Sequence, residues 1–459
     1  MHDQPARTLE RRALLKTTMA AGAGALALSL GRPGVALAAP QGGIDSTPAA
    51  DSVDAISPQQ GPTFFADAQL NFQMLGALIG LPYKSAELGE MLRLVAVVQG
   101  RGSTYVAFYE EMMELGRRLG RHAQDARRHG HLVTTREYSL RASNAYAQAL
   151  FFALAKDPTG RLEAPAYRLT TRYWNLATSL LEPAAVPLRI PYGRSHLPAW
   201  LLRPAGPVRR RPTVIFNNGS DAENIDMYGG GAAAAVERGY NALVFEGPGQ
   251  GSMLFLRDLP FRPDWEKVVT PIVTALRARR DVDPKRIAIW GWSMGGELVA
   301  RAAAFEPRLA AVVADPGAIA YVSSWPAAVI ATGYDGDKAT VDRGFADLLA
   351  GAPPNLQFTL RKRVEIFKEK SWYDLVRIMA KFDVSDLIGR IESPMLVTEP
   401  EYEAFWPGDA RKVYDKLKSR PRKLVNFTAA QGAQFHCEPM APQVRSAAVL
   451  DWLSGPLGG

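Results

Sequence analysis

The stretch RIAIWGWSMGGELVARAAA, residues 286–304, decides the class of fold. Its first five residues are typical of a buried strand, and the residues from 297 onward are typical of a helix. Between them, residues 291–295 read GWSMG and match the pattern G-x-S-x-G. In that pattern the serine sits on a sharp turn with unfavourable backbone angles, and the flanking glycines let strand and helix pass closely. The stretch therefore predicts a nucleophilic serine, Ser293, at the end of a strand in an α/β sheet.

Short apolar runs recur after residue 183, bounded by Gly, Pro and Asn and separated by helix-like stretches. Runs of this kind indicate a mostly parallel sheet with helices on both faces. Two earlier runs, Val186–Ile190 and Ala199–Leu202, are predicted to add antiparallel edge strands. The runs of the parallel part are Thr213–Phe216, Ala242–Phe245, Arg286–Trp290, Ala311–Ala314, Met395–Thr398 and Leu424–Phe427.

Two helical regions are predicted to accompany this sheet. Residues 61–180 carry apolar side chains at helical spacing and predict a helical N-terminal or cap domain. Residues 318–390 interrupt the core, which is predicted to occupy 181–317 and 391–459. We interpret the interruption as a helical lid, because it follows a strand of an open α/β sheet, and such sheets place their active site at the carboxyl ends of the strands.

His436 is the predicted catalytic base. Folds built around this serine motif carry the triad in the order serine, acid, histidine, and His436 is the only one of six histidines that follows Ser293. It ends a glycine-containing loop directly after the last predicted strand. A base in this position would accept the serine proton during attack on a carbonyl.

The local pattern leaves the acid of the triad open. The strand at 395–398 is followed by a loop rich in carboxylates, and one of these would hold the imidazole tautomer and stabilise its cation. The end of the preceding strand offers one more candidate. The candidates are Glu399, Glu401, Glu403 and Asp409 in the loop, and Asp315 at the end of that strand.

An oxyanion hole needs backbone amides that face the developing negative charge. One is expected from Met294, directly after the nucleophile, and the other from the loop after the third strand. That loop, residues 217–221, makes Gly219 or Ser220 the second donor. A further glycine-rich loop, residues 246–252, lacks the spacing of a phosphate-binding loop and is predicted to turn the chain out of the sheet.

The N-terminus is typical of an export signal. Arg11 and Arg12 precede a short apolar pair and a lysine, as in twin-arginine signals, and a weakly apolar run ends at small residues that suit a signal peptidase. Residues 1–38 are therefore predicted to be a twin-arginine-type signal peptide and 39–60 a flexible lead-in, with the protein periplasmic or secreted. The apolar run is too short and interrupted for an anchor, so no stable membrane insertion is expected once the signal is removed.

The composition argues against several classes of function. The 459 residues carry a formal charge of +8, part of it in the signal segment, without a basic patch interleaved with aromatic residues, so nucleic-acid binding is not expected. Cys437 is the only cysteine, which excludes an intrachain disulfide and a metal site built from several cysteines. No metal and no cofactor are expected. The predicted partner is a small carbonyl compound, and a homodimer is left open.

Several short stretches together resemble a bacterial and fungal group of α/β-hydrolases. That group includes 2,6-dihydropseudooxynicotine hydrolase and the fungal hydrolases that shorten polyketide pigment precursors. The resemblance covers roughly residues 60–455 and implies an α/β-hydrolase fold, a serine triad and a helical cap. In the two named types it also implies hydrolysis of a C–C bond beside a carbonyl, and by position it implies that Glu403 is the acid. The stretches are NGS at 218–220, FEGPGQG at 245–251, GWSMGG at 291–296, FWPG at 405–408 and HC at 436–437.

The leading hypothesis is a serine hydrolase that acts on an ester, a lactone or the C–C bond of a β-dicarbonyl through an acyl-enzyme. An acyltransferase would use the same acyl-enzyme with another acceptor. A peptidase of the prolyl-oligopeptidase type is less favoured, because the N-terminal region is helical in pattern and lacks the repeated strands of a propeller. A silent binding protein of the same fold is disfavoured by the intact serine motif and by His436.

Overall fold

The computed structural model describes residues 63–325, 327–334 and 336–458. The predicted signal peptide, 1–38, and the predicted lead-in, 39–60, lie outside these residues. Every helix in the described ranges is too short or too polar to cross a membrane.

The N-terminal part of the described chain is helical, as the apolar spacing predicts. Its helices are α1 (Ala68–Leu78), α2 (Leu88–Gly100), α3 (Tyr105–Arg128), α4 (Leu132–Phe151), α5 (Ala153–Lys156) and α6 (Glu163–Ser179). Two of them begin at side-chain caps, in which Asp67 accepts from the amide of Leu70 and Thr104 accepts from that of Ala107. We call residues 63–180 the cap.

Only some of the apolar residues at the start of α2 are buried in the core. Met91 and Leu94 are buried, whereas Leu88 and Leu92 are 48% and 46% exposed. The helix packs against α1 and α3 with one face, so apolar residues on its other face remain in solvent.

The sheet contains eight described strands in the order β1-β2-β4-β3-β5-β6-β7-β8. They are β1 (Val186–Tyr192), β2 (Ser195–Leu202), β3 (Arg211–Asn217), β4 (Asn241–Phe245), β5 (Val282–Trp292), β6 (Ala311–Asp315), β7 (Met395–Pro400) and β8 (Arg422–Phe427). The predicted edge strands, β1 and β2, are antiparallel to each other, and β2 is also antiparallel to β4. The remaining neighbours in the sheet are parallel. All eight predicted runs lie within these strands.

Helices cover both faces of the sheet, and the lid lies between β6 and β7. In chain order they are α7 (Asn224–Met227), α8 (Ala233–Glu237), α9 (Gly251–Phe255), α10 (Glu266–Arg277), α11 (Met294–Ala303), α12 (Ala327–Thr332), α13 (Lys338–Gly351), α14 (Pro354–Glu365), α15 (Trp372–Met379), α16 (Asp409–Lys416) and α17 (Pro442–Ser454). On one face α10, α11, α16 and the lid share an apolar core with the strands. On the other, α8, α17 and part of the cap do the same.

The helical cap and the helical lid, α12–α15, agree with the predicted class of fold. The exact domain boundaries at residues 180, 317 and 390 stay predictions. Both regions reach over the carboxyl ends of β3, β5 and β7, which places them above the candidate site.

Candidate active site

Ser293 lies at the turn between β5 and α11. Its φ of 58° and ψ of −130° are backbone angles that a residue with a side chain rarely adopts. Two amide hydrogen bonds hold the turn, from Ser293 to the carbonyl of Asp315 at 2.7 Å and from Gly296 to the carbonyl of Ser293 at 2.8 Å. A Cβ on Gly291 would lie 2.1 Å from the carbonyl oxygen of Gly295, so only glycine lets strand and helix pass this closely.

His436 lies between Ser293 and Glu403. Its Nε2 is 2.9 Å from Ser293 Oγ, and its Nδ1 is 2.7 Å from Glu403 Oε2. Because an ionised carboxylate can only accept, Nδ1 carries a proton toward Glu403, and Nε2 is left to accept from the serine hydroxyl. The structure thus brings together the three residues predicted as nucleophile, base and acid.

The Glu403 carboxylate is nearly enclosed, with 6% of its side chain exposed. Its other oxygen, Oε1, accepts from the amides of Phe405 at 2.8 Å and Trp406 at 3.2 Å. Burial raises the pKa of this carboxyl, but the charge of His436 and the hydrogen bonds from its ring and from the two amides outweigh burial and hold the pKa below its ordinary value. Glu403 is therefore ionised beside the imidazole at neutral pH.

The other carboxylates considered for this role bond to groups other than His436. Glu401, two residues from Glu403, is exposed and accepts from the amide of Ala429 at 2.7 Å. The remaining three are held by other partners, namely Glu399 by Arg411, Asp409 by Ser323 and Lys412, and Asp315 by Trp290 and Thr398. Of the five candidates, the structure brings only Glu403 to the imidazole.

The predicted oxyanion loop lies directly against the nucleophile. A Cβ on Gly219 would be 2.8 Å from Ser293 Cβ and 3.3 Å from the Met294 amide nitrogen, so Gly219 and Met294 flank the serine. Met294 is the first residue of α11, where an amide has no acceptor in a preceding helical turn and the helix dipole favours negative charge. Gly219 and Met294 thus lie beside the nucleophile candidate, and Ser220 lines the same cleft, while their role as oxyanion donors stays a prediction.

The glycine-rich loop at 246–252 supports the oxyanion loop, a role that the sequence did not reveal. Gln250 Nε2 donates to the carbonyl of Asn218 at 2.7 Å and to that of Gly219 at 3.1 Å. Glu246, buried at the start of the loop, accepts from the Ser252 amide at 2.9 Å and from the Tyr167 hydroxyl of the cap at 2.6 Å. The loop therefore holds the backbone carbonyls of the oxyanion loop in place, and it binds the cap through Tyr167.

A lid residue, Arg363 on α14, also contacts the oxyanion loop. Its guanidinium donates to Asp221 Oδ2 at 2.6 Å, and the hydroxyl of Ser220 donates to the same oxygen at 2.9 Å. Burial of Arg363 lowers its pKa, but the nearby Asp221 charge outweighs this and leaves the pKa raised. The ion pair joins the lid to the loop beside Ser293, and no local pattern predicts it, since the two residues lie far apart in the chain.

Ser293 and His436 open into a cleft with a mostly apolar lining. The core, the lid and the cap all contribute walls, and aromatic rings predominate. The lining aromatic residues are Phe72 and Phe151 of the cap, Trp292 of the core, Tyr321 and Trp325 of the lid, and Phe405 and Trp406 of the acid loop. Sequence reasoning missed the cap residues in this lining. Their only signal was a pair of glutamines, one turn apart, on a helix whose other residues are apolar except for Asn71.

Comparison with known proteins gives relatives of the predicted kind, although no family model matches. The α/β hydrolase psoB of Aspergillus fumigatus is 32% identical over 266 residues, which cover 55% of this chain and 59% of that protein. The 20-hydroxy-prefusarin hydrolase FUS2 of Gibberella moniliformis is 31% identical over 55% of this chain and 61% of its own length. The chain thus spans about three fifths of these two relatives. The hydrolase LUC6 of a Fusarium species is 29% identical over 77% of this chain and 88% of its own length.

Among solved structures, 2,6-dihydroxy-pseudo-oxynicotine hydrolase superposes with a TM-score of 0.62 and 18% identity, over 84% of this chain and 96% of that one. At this identity the likeness shows the fold alone. The chain has the α/β-hydrolase fold, with a helical cap and lid. Within that fold it resembles the group of 2,6-dihydropseudooxynicotine hydrolase and the fungal hydrolases, as its motifs imply. The hydrolase names of the relatives support a hydrolytic function.

Proposed function

We propose that this chain is a serine hydrolase that cleaves an ester, a lactone or the C–C bond of a β-dicarbonyl through an acyl-enzyme on Ser293. One observation carries the proposal: a continuous hydrogen-bonded row runs from Ser293 Oγ through the His436 ring to Glu403. Hydroxyl, imidazole and carboxylate in this order are the groups that acyl transfer needs.

In the proposed reaction Ser293 Oγ attacks the substrate carbonyl while its proton moves to His436 Nε2. Glu403 stabilises the resulting imidazolium at Nδ1, and the amides of Met294 and of Gly219 or Ser220 receive the oxyanion. Collapse of the tetrahedral intermediate breaks the bond to the leaving group, which takes the proton from His436. Water, deprotonated by the same imidazole, then attacks the acyl-enzyme, and collapse of this second tetrahedral intermediate releases the acid while His436 returns the proton to Ser293 Oγ.

The same steps accommodate two kinds of leaving group. An ester or lactone releases an alkoxide oxygen, whereas a β-dicarbonyl releases an enolate whose carbon takes the His436 proton. The enolate is a stabilised carbanion, so the second reaction needs no group beyond those already described. The resemblance of this chain's motifs to hydrolases that cleave a C–C bond beside a carbonyl favours including the β-dicarbonyl in the proposal.

Fluorophosphonate labelling of the purified protein, followed by peptide mapping, tests the nucleophile. We expect a single adduct on Ser293. Ser293→Ala should lose the label and lower turnover by on the order of 10⁶, as when a triad loses its nucleophile, while circular dichroism stays unchanged. Ser179→Ala, which removes an exposed hydroxyl of the cap, is the matched control. An adduct on another serine would refute the assignment.

A panel of p-nitrophenyl esters, lactones and β-diketones then separates the alternatives. Turnover of any member by the wild type and not by Ser293→Ala supports the hydrolase. Labelling of Ser293 without turnover of any member favours an acyltransferase, and absence of labelling favours a silent binding protein.

A further inference from the structure

One face of α1 forms a wall of the cleft. The residues on this face recur at intervals of three and four, which places them in a row along one side of a helix. They are Gln69, Phe72, Gln73 and Gly76. The opposite face of α1 is buried in the apolar core of the cap through Leu70, Met74 and Ala77. Two amide side chains therefore face the cleft from a helix whose other side is fixed.

The side-chain amides of Gln69 and Gln73 differ in their hydrogen bonding. Gln73 Nε2 donates to Gln148 Oε1 at 2.6 Å, and Gln148 Nε2 donates to the buried carboxylate of Asp226 at 3.0 Å. Gln69 is only 5% exposed, and within the described ranges its amide makes no hydrogen bond. An amide that faces a cleft without a protein partner is normally satisfied by water or by a ligand.

The polar part of the cleft lacks an unpaired cation. Of its described lining residues, Arg363 is the only lysine or arginine, and its guanidinium is bound to Asp221. The carboxylate that holds Gln148, Asp226, is buried and already accepts from Gln148 and from the Glu223 amide. A charged substituent would thus enter a low-dielectric site without a partner, whereas an uncharged hydroxyl or carbonyl would meet the Gln69 amide.

We propose that Gln69 is a specificity-determining residue that hydrogen-bonds to an uncharged oxygen of the substrate, a hydroxyl or a carbonyl, remote from the scissile bond. Phe72 is the α1 residue whose ring lies near His436, and Gln69 is about 4.5 Å further along the helix axis. The substrate is accordingly an uncharged, largely apolar carbonyl compound with a second oxygen function at some distance from the first. This inference rests on the proposed function.

The test uses p-nitrophenyl esters of ω-phenylalkanoic acids, with two to five methylene groups, beside counterparts that carry a hydroxyl or a carboxylate on the ring. At one chain length we expect kcat/KM for the hydroxylated ester to exceed that for the plain ester by about 10-fold, the range of one neutral hydrogen bond. The carboxylated ester should be the poorest of the three. Gln69→Met, similar in length and unbranched, should bring the ratio of hydroxylated to plain ester close to one.

Two further variants sharpen the comparison. Gln69→Asn keeps the amide but withdraws it by one methylene, so the preference should move to the ester that is one methylene longer. Gln124→Met replaces an exposed cap glutamine outside the cleft and should keep the wild-type ratio. Retained fluorophosphonate labelling of Ser293 shows that each variant is folded.

The outcomes separate this inference from the proposed function. Absence of labelling and of turnover of the plain esters would refute the hydrolase itself. Turnover of plain esters without a preference for the hydroxyl at any chain length, or with a preference that survives in Gln69→Met, would refute the role of Gln69 and leave the hydrolase standing. Preference for the carboxylated ester would refute the uncharged substrate.

Discussion

The ring of Phe72, on the first helix of the cap, lies 6.1 Å from the imidazole ring of His436, measured between centroids. The same ring lies 6.0 Å from that of Phe405, which itself packs against His436 at 4.6 Å. The imidazole is therefore enclosed by aromatic side chains from both the cap and the loop that carries Glu403. Enclosure of this kind limits water around the imidazole and strengthens its interaction with Glu403. The cap is thus part of the candidate active site.

Gly76 on the same helix leaves open space in the cleft, because a Cβ at this position would meet no atom within 4 Å. Gly76→Leu should fill that space and lower kcat/KM for long aryl esters by about 10-fold or more, with a smaller effect on p-nitrophenyl acetate. Gly89→Leu is the matched control, since Gly89 is also a helical glycine with open space but lies outside the cleft lining. Equal effects of the two substitutions on long esters would contradict the placement of α1.

The acid is tested by paired substitutions in one loop. Glu403→Gln should lower kcat by on the order of 10²–10⁴ with little change in KM, because the imidazolium loses the carboxylate that orients and stabilises it. Glu401→Gln should be close to wild type, since that side chain is exposed and bonds to the Ala429 amide and not to His436. A severe loss in Glu401→Gln together with a mild one in Glu403→Gln would show that the assignment is wrong.

Asp315→Asn tests the other candidate for the acid, and we expect it to lower stability and to leave the nucleophile reactive. Asp315 is fully buried, accepts from Trp290 at 3.2 Å and Thr398 at 2.8 Å, and faces Arg445 at 3.7 Å. Removing its charge leaves the buried Arg445 guanidinium with one carboxylate neighbour among the described residues, Glu438 at 3.8 Å, so we expect a lower melting temperature. Fluorophosphonate labelling at low temperature should persist. Loss of labelling in a stably folded Asp315→Asn protein would point to a direct role in the triad.

Stability should depend on pH through Glu297, four residues after the nucleophile. Burial raises its pKa to about 8, and neither carboxylate oxygen finds a hydrogen-bond partner among the described residues. The native state keeps the proton of the Glu297 carboxyl, whereas the unfolded chain loses it near the ordinary pKa of 4.5. The contribution of this carboxyl to the free energy of unfolding is therefore complete below pH 4.5 and is lost as pH rises to about 8. The loss amounts to at most about 1.4 kcal/mol per pH unit.

Glu297→Gln should therefore gain stability relative to wild type as pH rises from about 4.5 to about 8, and the difference should level off outside that window. Urea unfolding at half-unit intervals of pH measures it. Glu392→Gln, which removes an exposed carboxylate, serves as the control. A difference between Glu297→Gln and wild type that stays constant across this range would contradict the buried, protonated carboxyl.

Export is predicted from residues outside the described structure. Replacing Arg11 and Arg12 by lysine should retain the precursor in the cytoplasm, because a twin-arginine receptor reads both guanidinium groups. Fractionation with an antibody to the folded protein measures the effect, and the unaltered precursor serves as the reference. Normal accumulation of the double variant outside the cytoplasm would refute the twin-arginine route.

The sequence by itself was enough to predict the sheet, the serine turn and the histidine that lies against Ser293. The spacing of apolar residues and the residues that form turns are local properties of the chain. The strands, the G-x-S-x-G turn and the helix after it could therefore be predicted from neighbouring residues. His436 followed from chain order, since no other histidine comes after Ser293. Glu403 came from the resemblance, because four carboxylates share one short loop and local pattern does not distinguish them.

Only the tertiary structure decided which side chains meet across the chain. It turns Glu401 to solvent and Glu403 to the imidazole, pairs Arg363 with Asp221, and directs Gln69 and Phe72 into the cleft. Helical spacing shows that Gln69 and Phe72 share a face of α1, but not what that face meets. Which residues contact that face depends on how the cap, the lid and the sheet pack together. This packing is set by many apolar contacts between distant segments and not by any one local pattern.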